Sequence, residues 1–109
     1  MKFTLQGITV SKGEAKGPAR IVRDSKDLCF VKPGDILVTR MTTPEYTEVF
    51  GKIAGIVTSI GSRTCHAAIV SRELKIPCIV NVKAIMNLLK DNDIVQLNTN
   101  DGIILVERK

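Results

Sequence analysis

The stretch GSRTCH, residues 61–66, ends on the only histidine of the chain, preceded by a glycine, two hydroxyls, a guanidinium and a thiol. A lone imidazole with no carboxylate pair beside it in sequence is a candidate for accepting a group on a ring nitrogen and passing it on. The other serines and threonines have no second histidine to activate them, so a hydrolytic triad has no support. The spacing leaves a plainer account open, and taken alone that account is the simpler one. In it His66 is a partly buried residue making one hydrogen bond, Thr64 a helix cap and Arg63 a solvated charge.

The segments around the histidine decide how it is held. IAGIVTSI, residues 53–60, is an apolar run rich in β-branched residues, the pattern of a strand buried on both faces, and it stops at Gly61. From Thr64 to Lys75 the composition turns alanine-rich, with Ala67, Val70, Ser71 and Leu74 on one helical face. IPCIVNV, residues 76–82, restores a strand pattern. Together these predict a βαβ unit, whose parallel pair needs a crossover that is nearly always right-handed.

In that unit, Gly61 to Thr64 join the end of a strand to the start of a helix, where free N–H groups and the positive end of the helix dipole receive an anion such as phosphate. Thr64 as N-cap puts His66 in the first turn, partly exposed at the edge of the apolar stripe. That position disfavours imidazolium and stabilises the charge a phosphoryl group brings. Arg63 is near enough in sequence to pair with phosphate oxygens. The Thr64 hydroxyl can cap the helix or fix the ring, but not readily both. Glu73 is expected on the His66 side of the helix.

Elsewhere the chain reads as short strands and turns. GITV and GPARIV are expected strands separated by a turn over SKGEAKG, and PGDILVTR reads as a turn followed by a strand. Thr43, Pro44 and Glu45 carry a helix start, after which Tyr46, Val49, Phe50 and Ile53 recur as core candidates.

With 109 residues, 44% of them apolar and 25% charged, the chain is expected to be one globular domain over 1–109, too small to enclose a deep substrate cleft as well as a core. No apolar run approaches a membrane span, and a cytoplasmic protein is expected. The net charge of +5 is spread along the chain and only four aromatics are present, so nucleic acid is not an expected partner. Cys29, Cys65 and Cys78 fit a reducing compartment, and Cys29 and Cys78, in the apolar runs LCFV and PCIV, are expected to be buried. With no C-x-x-C pair, and with Cys65 and His66 diverging around a helix start, no metal site is expected.

The stretch IVTSIGSRTCHAAIVSRELKIPCIV also resembles the phosphohistidine signature of the mobile, or swivelling, domain of phosphoenolpyruvate-utilising enzymes. That family includes phosphoenolpyruvate synthase, pyruvate phosphate dikinase and the first enzyme of the sugar phosphotransferase system. RTCHAAI and the following REL and IP are most similar to the synthase, and PGDILVTRMTTPEY upstream looks like its corresponding segment. GITVSKGEAKGPARIV and DGIILVE extend the resemblance over nearly the whole chain. It implies a three-layer β/β/α fold whose histidine carries a phosphoryl group between separate active sites. By that resemblance His66 is the acceptor, Thr64 the motif threonine, and Arg63, Cys65, Ala67 and Arg72 occupy matching motif positions. The candidates for binding phosphate are Gly61, Ser62, Arg63 and Cys65, with Arg72 and Glu73 as support. It further implies no cofactor on this domain, and magnesium on two partners: a nucleotide-binding domain and a barrel that binds phosphoenolpyruvate or pyruvate.

Three positions depart from the family pattern: Ser62 replaces a second glycine, Ser71 a common alanine, and Asn81 a glycine after the second strand. The reading from a different class is a docking or regulatory module that keeps the fold without turnover.

Overall fold

The computed structural model describes residues 1–108. In chain order the strands are β1 (Lys2–Gln6), β2 (Ile8–Ser11), β3 (Glu14–Val22), β4 (Ile36–Thr39), β5 (Gly55–Thr58), β6 (Cys78–Val80), β7 (Ile94–Asn98) and β8 (Ile103–Glu107). The α-helices are α1 (Thr47–Phe50), α2 (His66–Leu74) and α3 (Ile85–Leu88), and 3-10 helices span Ser25–Phe30 and Pro44–Tyr46. The eight strands form one mixed sheet in the order β1-β8-β7-β3-β4-β5-β6-β2. Strands β3, β4, β5 and β6 run parallel to one another, and the other pairs are antiparallel. The expected strand, helix and strand around the histidine are β5, α2 and β6.

Every residue of β4, β5 and β6 is buried, as their unbroken apolar runs require. Alternate side chains feed two cores. Val22, Leu37, Ile56, Cys78 and Val80 meet Ala67 and Ala68 of α2 and Val49 and Phe50 of α1. Ile36, Val38, Val57 and Ile79 point the other way, toward Val95, Leu97, Ile104 and Val106 of β7 and β8. The result is a mixed α/β domain whose sheet covers part of itself.

β1 and β2 are joined through Gly7 alone yet lie at opposite ends of the strand order, so the sheet curls until its edges approach. Gly7 N donates to Gly102 O at 2.9 Å and Thr9 Oγ1 to Thr99 O at 2.8 Å across the seam. A Cβ on Gly7 would stand 2.5 Å from Val82 Cγ2 and 2.6 Å from Val80 O. Only glycine fits there.

The structure corrects several local expectations. The turn expected over SKGEAKG shrinks to Lys12–Gly13, because residues 14–18 pair with β7, a partner remote in sequence. Cys29 is exposed rather than buried, since LCFV winds into a 3-10 helix and only Leu28 and Val31 reach the core. Thr43 precedes Pro44 as expected but makes no side-chain cap. Leu74 is exposed, while Ala68 takes its place in the buried face of α2. Tyr46, Val49, Phe50 and Ile53 are all buried, as their spacing requires. Asn81 is left-handed (φ 58°), a conformation asparagine tolerates where glycine is common.

Near the C-terminus, Asp93 accepts from Arg108 Nη2 at 2.7 Å, Arg108 Nε at 3.0 Å and Lys90 N at 2.9 Å. The Arg108 hydrogen bonds hold its carboxyl below the ordinary value against the opposing effect of burial.

Two predictions follow from this packing. Gly7→Ala should lower stability in urea unfolding by about 2 kcal/mol through overpacking, whereas Gly51→Ala, where a Cβ meets nothing within 4 Å, should be nearly neutral. A depressed carboxylate contributes stability that is present above its unfolded value and lost as pH falls through the folded one. Asp93→Asn should therefore lower Tm at neutral pH, and the gap from the parent should close as pH drops below about 4.

Candidate functional site

His66 is the first residue of the nine-residue helix α2, and Cys65, in extended conformation, occupies the N-cap position without a side-chain cap bond. The cap expected of Thr64 is therefore absent. Its Oγ1 pairs with Ser62 Oγ at 3.3 Å, and Thr64 N donates to the same Ser62 oxygen at 3.3 Å. The chain turns from β5 into this loop at Gly61, whose φ of 147° suits glycine and where a Cβ would sit 3.1 Å from both Cys65 Sγ and Val80 Cβ. Ser62 has no positive φ, so the hydroxyl that replaces the expected glycine imposes no backbone strain and supplies local hydrogen bonds instead.

The contact with the ring, also expected of Thr64, comes from Thr42. Its Oγ1 lies 2.9 Å from His66 Nδ1, and Thr42 itself is 2% exposed. The Phe50 ring lies near the half-buried imidazole, with ring centroids 6.2 Å apart. His66 Nε2 has no hydrogen-bond partner among the described residues, and the ring lines a concavity of about 110 Å³ with Met41, Thr42, Ile60, Gly61 and Cys65. When Nδ1 carries the proton and donates it to Thr42 Oγ1, the lone pair is on Nε2. One ring nitrogen is thus anchored in protein and the other left without a partner.

Thr42 escaped the sequence reading because the TTP element offered two threonines and the helix-start pattern drew attention to Thr43. The available signal was topological. β4 and β5 are parallel neighbours, so the segments that follow them emerge on the same edge of the sheet, where such folds place their sites.

The remaining candidates are spread around this centre. Arg63 is exposed on the loop, makes no hydrogen bond or ion pair among the described residues, and lines a separate concavity with Lys12 and Thr9. Arg72 donates from Nε to Val10 O at 2.8 Å, tying α2 to β2. Glu73 is exposed about two turns further along α2. Ser71 is buried and donates to Ala68 O at 3.1 Å within the helix. Cys65 is partly buried beside the histidine, whereas burial pushes the Cys78 thiol up to about 12 and keeps it protonated. Among the described residues no three His, Cys, Asp or Glu side chains come together as metal ligands, and no helix is long and apolar enough to cross a membrane.

Comparison with known proteins agrees with this architecture. The chain is 43% identical over 103 residues to a probable phosphoenolpyruvate synthase of Methanothermobacter thermautotrophicus, covering 94% of the chain and 15% of that protein. It is 37% identical to the phosphoenolpyruvate synthase of Escherichia coli, covering 93% of the chain and 14% of that protein. The chain therefore spans about one seventh of the length of these relatives. The solution structure of an Enzyme I protein superposes with a TM-score of 0.63 at 28% identity, over 75% of this chain and 34% of that one. Residues 31–102, which include β4, the Thr42 segment, β5, the loop and α2, match the PEP-utilising enzyme mobile domain, and the chain belongs to that family of phosphoenolpyruvate-utilising phosphotransferase domains.

Proposed function

We propose that the chain is a phosphoryl carrier of the phosphoenolpyruvate synthase or pyruvate phosphate dikinase type, with His66 as acceptor. The observation that carries this reading is the anchored Nδ1 beside an unpartnered Nε2 at the start of a helix. The Nε2 lone pair attacks phosphorus of a donor held by a partner; the N–P bond forms as the donor's P–O bond breaks, and the bonding electrons leave on the donor oxygen. The proton on Nδ1 stays shared with Thr42 Oγ1. The new negative charge lies at the positive end of α2, near N–H groups left free in the first turn.

Phosphoryl transfer depends mainly on positioning and charge stabilisation, so a small domain serves when partners supply the rest. Those partners are a nucleotide-binding domain and a barrel for phosphoenolpyruvate or pyruvate, and magnesium acts on them. In this reading the two cores on either side of the parallel strands form the β/β/α layers of a swivelling domain. The layers hold His66 rigidly while the domain moves as a unit between the two sites.

Incubation with magnesium, ATP or phosphoenolpyruvate, and an extract of active phosphoenolpyruvate synthase should add one acid-labile phosphoryl group at His66, measured by intact mass and site mapping. His66→Ala should abolish the label while circular dichroism shows a folded chain. Thr42→Val should slow labelling by about tenfold, and Thr64→Val should change it little. Labelling of the His66→Ala chain to the parent level refutes the assignment. No label on a folded parent chain with an active extract points to a docking or regulatory module instead.

A further inference from the structure

The chain has six arginines, and four are committed to protein acceptors. Arg20 Nε pairs with Asp35 Oδ2 at 3.1 Å and Arg108 with Asp93 at 2.7 Å. Arg72 donates to Val10 O at 2.8 Å and Arg23 to Met86 O at 3.3 Å. The two with no oxygen acceptor among the described residues are Arg40, on the segment that leads into Met41 and Thr42, and Arg63, which lines a separate concavity. Arg63 stands on the loop before α2. Arg40 directly follows β4, two residues before Thr42.

The backbone at Arg40 is part of the site's frame, since Ile60 N donates to Arg40 O at 3.2 Å and Ile60 walls the concavity. Its side chain is held by one weak contact only, from Nη1 to Met41 Sδ at 3.4 Å. Met41 is itself a wall of the same concavity. Met41 lines both this concavity and the neighbouring one that Arg40 lines, so one side chain separates the guanidinium from the site, and its rotation breaks nothing but a contact with a thioether. No acidic residue lines the His66 concavity, and Glu45, which lines the neighbouring one with Arg40 and Met41, makes no ion pair with the guanidinium.

We propose that Arg40 is a cationic clamp for the phosphoryl group on His66, acting from the β4 side. This rests on the reading of His66 as acceptor. A protein-bound phosphoryl group carries about two negative charges and three acceptor oxygens. A guanidinium matches two of those oxygens with a planar pair of N–H donors. With Arg40 swung over Met41, the group is met by charge from the β4 segment and from the end of the helix. Arg40 stabilises the phosphorylated form and the charge that develops during transfer.

The test needs no partner protein. Phosphoramidate phosphorylates histidine directly: Nε2 attacks phosphorus, the P–N bond of the reagent breaks, and ammonia leaves. The full chain is treated with phosphoramidate, labelling is followed by intact mass and mapped to His66, and the phosphoryl resonance is titrated by 31P NMR. Arg40→Gln should label about fivefold more slowly and raise the midpoint of the phosphoryl titration by about half a pH unit, with Arg40→Lys between it and the parent. Lys16→Gln, the same loss of charge on an exposed residue of β3, should match the parent. Equal rates and midpoints for Arg40→Gln and the parent overturn the clamp while leaving His66 as acceptor. A parent chain that takes no label at His66 overturns both.

Discussion

Burying both faces of β4, β5 and β6 is the constraint on which the rest of the structure depends. These strands expose no side chain, so each face must be covered by a separate layer, and a chain of 109 residues has little material for two. Helices cover one face. The other is covered by β7 and β8, brought round by the curl that the Gly7 seam permits. The parallel pairing of β5 and β6 also fixes where α2 begins, because the crossover must leave from the C-terminal end of β5. The helix start, the glycine turn and the segment after β4 then converge on one edge of the sheet, and the imidazole stands where they meet.

That convergence also explains why α2 is built from small residues on its inner side. Ala67, Ala68 and Ser71 are its buried residues, and they let the helix lie close to β2, β5 and β6. Two polar ties reinforce the contact. Arg72 reaches Val10 O, and Ser11 Oγ donates to Ser71 O at 3.4 Å. A helix tied at Ser71 and Arg72 to the strand beneath it keeps its first residue in place, and here that residue is His66.

The part of the fold legible in the sequence was the part in which local pattern and tertiary role agree. The run IVT between glycine turns, the alanine-rich helix and the returning CIV strand were readable because a buried parallel strand and its crossover are apolar in distinct periods. The strand hidden in EAKG was not, since its partner β7 lies some eighty residues away and glycine with lysine resembles a turn. Its alternation of exposed Glu14, buried Ala15 and exposed Lys16 was the signal that glycine obscured. Cys29 was misplaced because four apolar letters carry no information on whether they extend or wind. At the site, the helix start and the exposed edge of His66 were legible, but the partner of its ring was not. Thr42 is separated from His66 by a 3-10 helix, α1, β5 and the loop after it, and only the parallel register of β4 and β5 places the two together.

The identity of that partner has a physical consequence of its own. Histidines poised for chemistry are often oriented by a carboxylate, which fixes the ring and stabilises imidazolium. A carboxylate behind a phosphoryl acceptor has two costs. It favours the form of the ring that has no lone pair to attack with, and it repels the dianionic group once transferred. A hydroxyl avoids both, because it is uncharged and can either accept a hydrogen bond or donate one. Before transfer Thr42 Oγ1 can accept from Nδ1–H, leaving the lone pair on Nε2. After transfer, should Nδ1 lose its proton, the same oxygen can donate to it without any movement of the backbone. Burial at 2% exposure keeps water from taking over either role. In the proposed carrier the orienting group is neutral, so the positive charge that balances the phosphoryl group is left to the helix end and the Arg40 clamp, where it acts on the transferred oxygens rather than on the ring.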